Sequence, residues 1–579
     1  MTFRARPTTR TGRRSGYESD SRRNLYFSLG FGAVVVVAIL LLVGAGAASW
    51  YGEHLAPVAV VNGESITKDA LRERVALETF RLDVLDSRTR DKVNAGRMSP
   101  SQGQQLLTFI SQQKQQIGSL AYDREIDTTL LLQLASQRAI AVTPAEVDAQ
   151  VAKDATTPES RHSFAIAVTP EKDTGATTPT QAQKDAAKKK ADGLRADLEA
   201  GKTWEEVVKA SGDADAAETN GDLFFIDKGT TSPDAPFVEA IFALAAPGFT
   251  EVIEGDDGVY RIGRMTEVSA ELVDPNYMQR ATDAGVSEAA YRRSAGSIVA
   301  RDKTEAQLIA EVVDKPSEQR RTSEVAIEDN GGSAIAPGAV LVKHLLYSPK
   351  DDPGGAAALP ADDPAWKAAE DEAKKAFDEL KAGTKRFVDL APGSDDATSA
   401  AANGFLPYFA KDDPQTQLDP AFGDAIFADG LAPGQLLAPV KSAFGWHVIQ
   451  FVSAKDPVAR SQELIAEAGK PGADLAKLAA EHSIAASAVD GGDLGWIARY
   501  QLQKTLEDAI FATQAGGVSA AIPGTGLVFY GVDEIATRSP DPEQATTLRD
   551  NAFVNWYQGI KNDTNQTKIE RLLDTSTTG

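Results

Sequence analysis

Residues 26–50, YFSLGFGAVVVVAILLLVGAGAASW, contain no charged side chain, and that run limits how the rest of the chain can be arranged. As a helix it is long enough to cross a hydrocarbon core of about 30 Å. In front of it stand Arg4, Arg6, Arg10, Arg13, Arg14, Arg22 and Arg23, against Glu18 and Asp20. Positive residues flanking a span stay on the cytoplasmic side, so the sequence predicts a cytoplasmic N-terminus and an extracytoplasmic bulk after Trp50. A cleavable signal peptide is the rival reading; its apolar region would be only about 7–15 residues, which favours an uncleaved anchor. The 579 residues include no cysteine, so a disulfide framework and lipid attachment through cysteine are both ruled out.

About 525 residues follow the anchor, too many for one hydrophobic core. Lys and Arg number 60 against 83 Asp and Glu, a net charge of −23. Seven arginines and two acids fall in the first 25 residues, leaving about −28 on the remainder. Such a surface favours solubility and argues against a nucleic-acid backbone as partner, whereas the arginine-rich head suits anionic lipid. The five histidines show no metal-ligand spacing, so neither a metal nor a cofactor is expected.

After the anchor, Ala59–Thr67 reads as a strand, a turn at Asn62-Gly63 and an N-cap at Thr67, with a helix from Lys68. Apolar residues recur at helical spacing over 103–139. Thr143, Pro144 and Glu146 form the signature of a reciprocal cap. Residues 274–315 also look helical, 324–338 read as loop, and 541–574 predict a terminal helix with Leu548, Phe553, Trp556, Tyr557 and Ile560 as its buried stripe.

A threefold repeat organises the middle of the chain. The first copy holds GDLFFIDKG at 221–229, APFVEAIFAL at 235–244 and GVYRIGRM at 258–265. The second has VLVKHLLYSP at 340–349, NGFLPYF at 403–409, DPAFGDAIFADG at 419–430 and FGWHVIQFV at 444–452. The third keeps GGDLGWIARY at 491–500, LEDAIFATQAGG at 506–517 and TGLVFYGVDEI at 525–535, without a recognisable opening strand. Short strands mixed with helices in such units indicate α+β domains.

The second copy resembles the parvulin family of peptidyl-prolyl cis/trans isomerases in its histidine-bearing first strand, Asp-rich helix end, Pro-Phe helix and FGWH last strand. The segment from Val60 to about Asp148, with VNGESIT and VTPAEVD, looks like the chaperone region of SurA-like anchored foldases. The resemblance implies an α+β fold: an N-terminal transmembrane helix, a helical chaperone region, and repeated parvulin-like domains with small antiparallel sheets wrapped by helices. The expected organisation is a basic cytoplasmic tail at 1–25, the anchor at 26–50, a helical region at 57–155 with 270–320, and a degenerate parvulin-like domain at 160–269. An isomerase domain at 338–456, a partial degenerate one at 457–537 and the helix at 541–574 complete it.

Carried over residue by residue, the resemblance implies His344 and His447 as the paired imidazoles, Asp396 in the polar position after Ser394-Asp395, and Ser442 as the hydroxyl beside the second histidine. It implies Leu418 and Phe422 as the cup for a proline ring; four apart, they would share one helix face. Phe405 and Pro407 depart from the usual GDLG turn and bear on the pocket's shape. In the first copy Ala165 and Tyr260 would replace the histidines, with His162 three positions out of step; in the third, Val528 would replace the last. The function implied is prolyl isomerisation and chaperoning of exported, proline-containing polypeptides, with secretion machinery as a further partner. The alternatives are a membrane-anchored holdase without turnover and a scaffold of an envelope complex.

Overall fold

The computed structural model describes residues 17–172, 179–411 and 418–573, so the arginines at positions 4–14, part of the loop at 171–180, and residue 574 lie outside the described residues. The chain divides into two units, Met1–Asp302 with Lys568–Gly579, and Lys303–Thr567.

In the first unit a helix runs over Tyr17–His54, and its Val36–His54 portion is long and apolar enough to cross a membrane. Beyond it, Pro57–Val61 pairs with Glu64–Thr67 across the Asn62-Gly63 turn and, on its other side, with Ile569–Arg571. Thr67 caps the helix Lys68–Asn94, its hydroxyl accepting from Ala70 N at 3.2 Å, and Thr143 and Glu146 form the reciprocal cap of Pro144–Ala155. The apolar pattern over 103–139 is two helices, Pro100–Gln115 and Ile117–Gln137, divided at Gln116. Leu77, Phe80 and Val147 pack into one core with Tyr277 and Tyr291, which lie on the helices Tyr277–Asp283 and Glu288–Val312.

The first repeat is a four-stranded antiparallel sheet in the order Asp222–Asp227, Ser160–Val168, Tyr260–Ser269, Gly248–Glu254. Ile166, Trp204, Leu194 and Ile262 pack on the face covered by Gln181–Glu199, while Phe237 and Ile241 of the helix Ala235–Ala243 cover the other.

In the second unit, Leu341–Tyr347 pairs with Trp446–Ser453, which pairs with Val440–Lys441. The helix Pro364–Ala382 packs Ala373 and Ala376 with Phe387 on one face, over Leu345 and Val448. The helix Pro420–Ile426 packs Phe422 and Ile426 on the other, over Val342, Ile449 and Phe451.

The opening strand of the third repeat lies upstream of the second repeat. Ser317–Ile327 pairs with Gly526–Arg538 and with Asp493–Ala498, so the second repeat is inserted within the third. Two expectations change with it. The stretch read as helical over 274–315, in a region carried to 320, is two helices, Tyr277–Asp283 and Glu288–Val312, followed by strand from Ser317, and Glu324–Ile327 is strand where a loop was expected. The terminal helix is also shorter than 541–574. It spans Pro542–Asn562 and stops where Asp563 accepts from Asn565 N at 3.0 Å.

One backbone contact aligns the three repeats. The opening strand donates from Ala165, His344 or Glu324 N to the carbonyl of Gly221, Gly404 or Gly492, each at 2.8 Å. All three glycines have φ between +70° and +86°, and a Cβ there would lie within 3.1 Å of the facing strand's carbonyl oxygen. Only glycine meets both demands. With the copies pinned at this point, His344 corresponds to Ala165 and to Glu324.

Candidate active site

His344 and His447 stand on paired strands two register positions apart: His344 is opposite Ile449 and His447 is opposite Leu346. Both point to the face covered by Pro420–Ile426, and both are buried. Their Nδ1 atoms are 3.0 Å apart and the rings stack with centroids at 5.3 Å. His344 Nε2 reaches Asp396 Oδ2 at 2.8 Å and Ser399 Oγ at 2.9 Å, while His447 Nε2 meets Ser442 Oγ at 2.7 Å.

This line has one polarity when both rings are neutral. A carboxylate only accepts, so His344 carries its proton on Nε2 and offers a lone pair at Nδ1. His447 then donates from Nδ1, its Nε2 accepts, and the Ser442 hydroxyl donates to it. Burial, reinforced by His344 beside it, lowers the pKa of His447 to about 3, so this ring is neutral at neutral pH. The hydrogen bond from His344 holds the Asp396 carboxyl well below the usual carboxylate range; Ser399 adds to the shift and partial burial opposes it.

Local sequence explains each placement. Asp396 caps the short helix Ala397–Ala401 with Oδ1, accepting from Thr398 N at 3.1 Å, which leaves Oδ2 for His344. Ser442 opens the turn into the last strand: its N–H donates to Gly445 O at 2.9 Å and its Oγ accepts from Phe444 N at 3.0 Å. Gly445 fits this turn because a Cβ there would lie 2.4 Å from Tyr347 O.

Phe422 sits beside the pair, its ring centroid 4.9 Å from that of His447 and 5.8 Å from that of His344. Leu418 packs on the same cluster but is not on the helix. Asp419 is the N-cap and Pro420 the first helical residue, so Leu418 lies one position outside and remains half-buried. The expectation of a shared helix face fails because the Asp-Pro pair starts the helix after Leu418.

Phe405 and Pro407 do not enter the cup. Phe405 packs with Leu341, Tyr408 and Val452, under Lys343 Nζ at 4.3 Å from its centroid, and Pro407 is exposed. Sequence reasoning missed Ser399, three residues after the capping aspartate, and Phe409, whose ring meets Phe422 edge-on with centroids 6.4 Å apart. Asp419 was also missed, although the Asp-Pro signal marks it; besides capping, it accepts from Ala443 N at 2.9 Å. Among the described residues no group of three or more His, Asp or Glu side chains could hold a metal ion.

The equivalent positions in the other repeats hold different chemistry. Leu346 faces His447 as Ala167 faces Arg261 and Ala326 faces Val528. Arg261, not Tyr260, therefore stands in the place of His447, and it pairs with Asp234 at 2.7 Å and with Asp257 at 2.6 Å. His162 lies away from that position, bound to Asp222 at 2.9 Å and stacked on Phe225. In the third repeat Glu324 replaces His344 and accepts from Ser487 at 2.7 Å.

Comparison with known proteins agrees with this architecture. The family described as PPIC-type PPIASE domain matches residues 344–453 and 454–528, and a second family of the same description matches 151–267. The chain belongs to the PPIC-type, or parvulin, group and carries several such modules. It is 26% identical over 227 residues to the chaperone SurA of Methylobacillus flagellatus, covering 33% of this chain and 50% of that one. It is 39% identical over 72 residues to the peptidyl-prolyl cis-trans isomerase Pin1 of Digitalis lanata, covering 12% and 61%. A solved SurA-like chaperone from Campylobacter jejuni is 18% identical, covering 45% of this chain and 99% of that one, with a TM-score of 0.18. The chain spans about half the length of the SurA relatives it matches.

Proposed function

We propose that this chain is a prolyl cis/trans isomerase and folding chaperone of exported polypeptides, with its catalytic centre in the second repeat. The observation that carries the reading is the continuous line Ser442–His447–His344–Asp396 beside Phe422. Rotation about an X-Pro bond meets a barrier of about 18–20 kcal/mol, set by amide resonance, and no bond is made or cut. Leu418 and Phe422 hold the proline ring. A planar amide is more polar than a twisted one, so an apolar cup beside the neutral His447 ring favours the twisted state over the ground state. Asp396 fixes the tautomer of His344, and through it the direction in which the Ser442 hydroxyl points.

The repeats at 160–269 and 457–537, the latter completed by Ser317–Ile327, lack both imidazoles and serve as binding or spacing modules. The helical region of 57–155 with 270–320 contacts unfolded clients. The apolar helix anchors the chain in the cell membrane by a single pass with its arginine-rich end in the cytoplasm, and secretion machinery is a further partner.

The test is isomer exchange in a proline-containing peptide with the full chain and with a His344→Ala/His447→Ala variant, beside suppression of aggregation of an unfolded client. Exchange is expected to be lost while aggregation is still suppressed. Equal exchange by both proteins refutes the catalytic assignment, and a wild type that only suppresses aggregation returns the chain to the holdase reading.

A further inference from the structure

A cavity of about 850 Å³ lies on the opposite face of the catalytic sheet from the histidines, where the second and third repeats meet. Its apolar wall includes Phe377, Leu380, Phe387 and Leu436. Its charged lining is cationic in a chain of net charge −23: Lys343, Lys381, Lys385 and Arg386, with His482 beside them. Arg386 is matched by Asp389 at 2.6 Å, and Glu481, the acid of the lining, has Lys477 at 3.8 Å. Lys381 and Lys385 have no ion-pair partner among the described residues. Lys343 is 1% exposed, and its Nζ donates to the Glu481 carbonyl at 2.7 Å. His482 Nδ1 is buried without a hydrogen-bond partner.

We propose that this cavity binds an extended polypeptide segment in which carboxylate side chains alternate with apolar ones, at a site separate from the proline cup. Its size falls within the range of ligand sites, about 300–1,000 Å³, and is far larger than one small anion needs. Apolar walls take up side chains, while the exposed Lys381 and Lys385 favour acceptors. The positive field is also felt by the groups already there: burial first, then Arg460, Lys343 and Lys477, depress His482 to about 3, and burial and Arg460 lower Lys343 to about 7. A carboxylate seated among them relieves that crowding. The site does not depend on the isomerase reading, since none of its residues belongs to the histidine line.

The test uses the full chain in detergent micelles and two labelled, proline-free peptides, one alternating Glu and Leu and one with Gln in place of Glu. Fluorescence anisotropy is expected to give about tenfold tighter binding of the acidic peptide, weakening as salt rises. The Lys381→Glu/Lys385→Glu variant, altered at exposed residues only, is expected to lose that preference while exchanging prolyl isomers as the wild type does. In imidazole NMR the acidic peptide is expected to shift His482 and leave His344 and His447 in place. Equal binding of the two peptides, an unchanged preference in the variant, or shifts confined to His344 and His447 would each overturn the proposal.

Discussion

Acidification from pH 6.5 to 4.5 is expected to destabilise the second repeat through His447, and the size of the effect follows from its surroundings. In the unfolded chain this histidine titrates near the ordinary value of about 6.5. In the folded protein burial, with His344 beside it, lowers it to about 3. Between those values the unfolded state binds a proton that the folded state refuses, so stability rises with pH across the window and falls as acid is added. One proton of difference corresponds to about 1.4 kcal/mol per pH unit, and since the unfolded ring is only half protonated at pH 6.5, the loss over those two units is about 2.3 kcal/mol. The comparison variant is His447→Asn, whose amide can still donate toward His344 Nδ1 but does not titrate. Hydrogen exchange on Trp446–Ser453 in the full chain, corrected for intrinsic rates at each pH, reads local stability. The slope of wild type minus variant is expected to approach one proton. Imidazole NMR is expected to place the His447 midpoint near 3. A midpoint near 6.5, or parallel pH profiles for the two proteins, would refute the assignment of His447 as a buried neutral ring.

Asp396→Asn can keep the cap for Thr398 N with its one acceptor oxygen but then turns an NH2 donor toward His344 Nε2, so it is expected to cost about 1–2 kcal/mol, whereas Asp396→Ala loses both acceptors and costs about 2–4 kcal/mol; denaturant unfolding distinguishes them. Leu418→Ala, at a half-buried position, is expected to raise KM for a proline peptide with a stability loss under about 1.5 kcal/mol. Phe422→Ala removes a buried ring at about 3–5 kcal/mol and is expected to disrupt the module itself, as thermal unfolding will reveal. Gly404→Ala combines φ of +86° with a Cβ 3.1 Å from His344 O and is expected to cost more than Gly430→Ala. At Gly430 φ is +79° but nothing lies within 4 Å, so the conformational penalty of about 1 kcal/mol stands alone.

Local signals in the sequence translated well into structure. The Thr67 and Thr143 caps depend on residues three apart, and the AIFA helices carry their own apolar face, so short-range chemistry was enough to place them. What escaped was non-local. Nothing within Ser317–Ile327 says that its partners lie beyond an inserted domain of more than a hundred residues, because strand pairing is settled by tertiary contacts. The register of the first repeat slipped by one residue, exchanging Tyr260 for Arg261, because two residues separate Gly258 from Arg261 where one separates Gly445 from His447, and one step turns a side chain to the other face. Phe405 was read as a neighbour of the cup, yet it packs away from Phe422 and beneath Lys343, a direction that pattern alone does not fix.

The three repeats also explain why losing two histidines need not unmake the fold. The pin from the opening strand to a left-handed glycine is backbone chemistry, so it survives any side chain at the position of His344. What fills that position must still satisfy its neighbours, and each repeat does so differently. In the second, Asp419 caps its helix and is left to hold Ala443 N, while the buried polar line is imidazole to imidazole. In the first, the equivalent cap Asp234 is 6% exposed and takes the guanidinium of Arg261 at 2.7 Å, so an ion pair occupies the place of the second ring. Removing Arg261 alone would strand a buried carboxylate, a cost of about 3–5 kcal/mol. That side of the sheet is therefore locked into a charge pair rather than left vacant, and returning it to imidazole chemistry requires Asp234, Arg261 and Ala165 to change together.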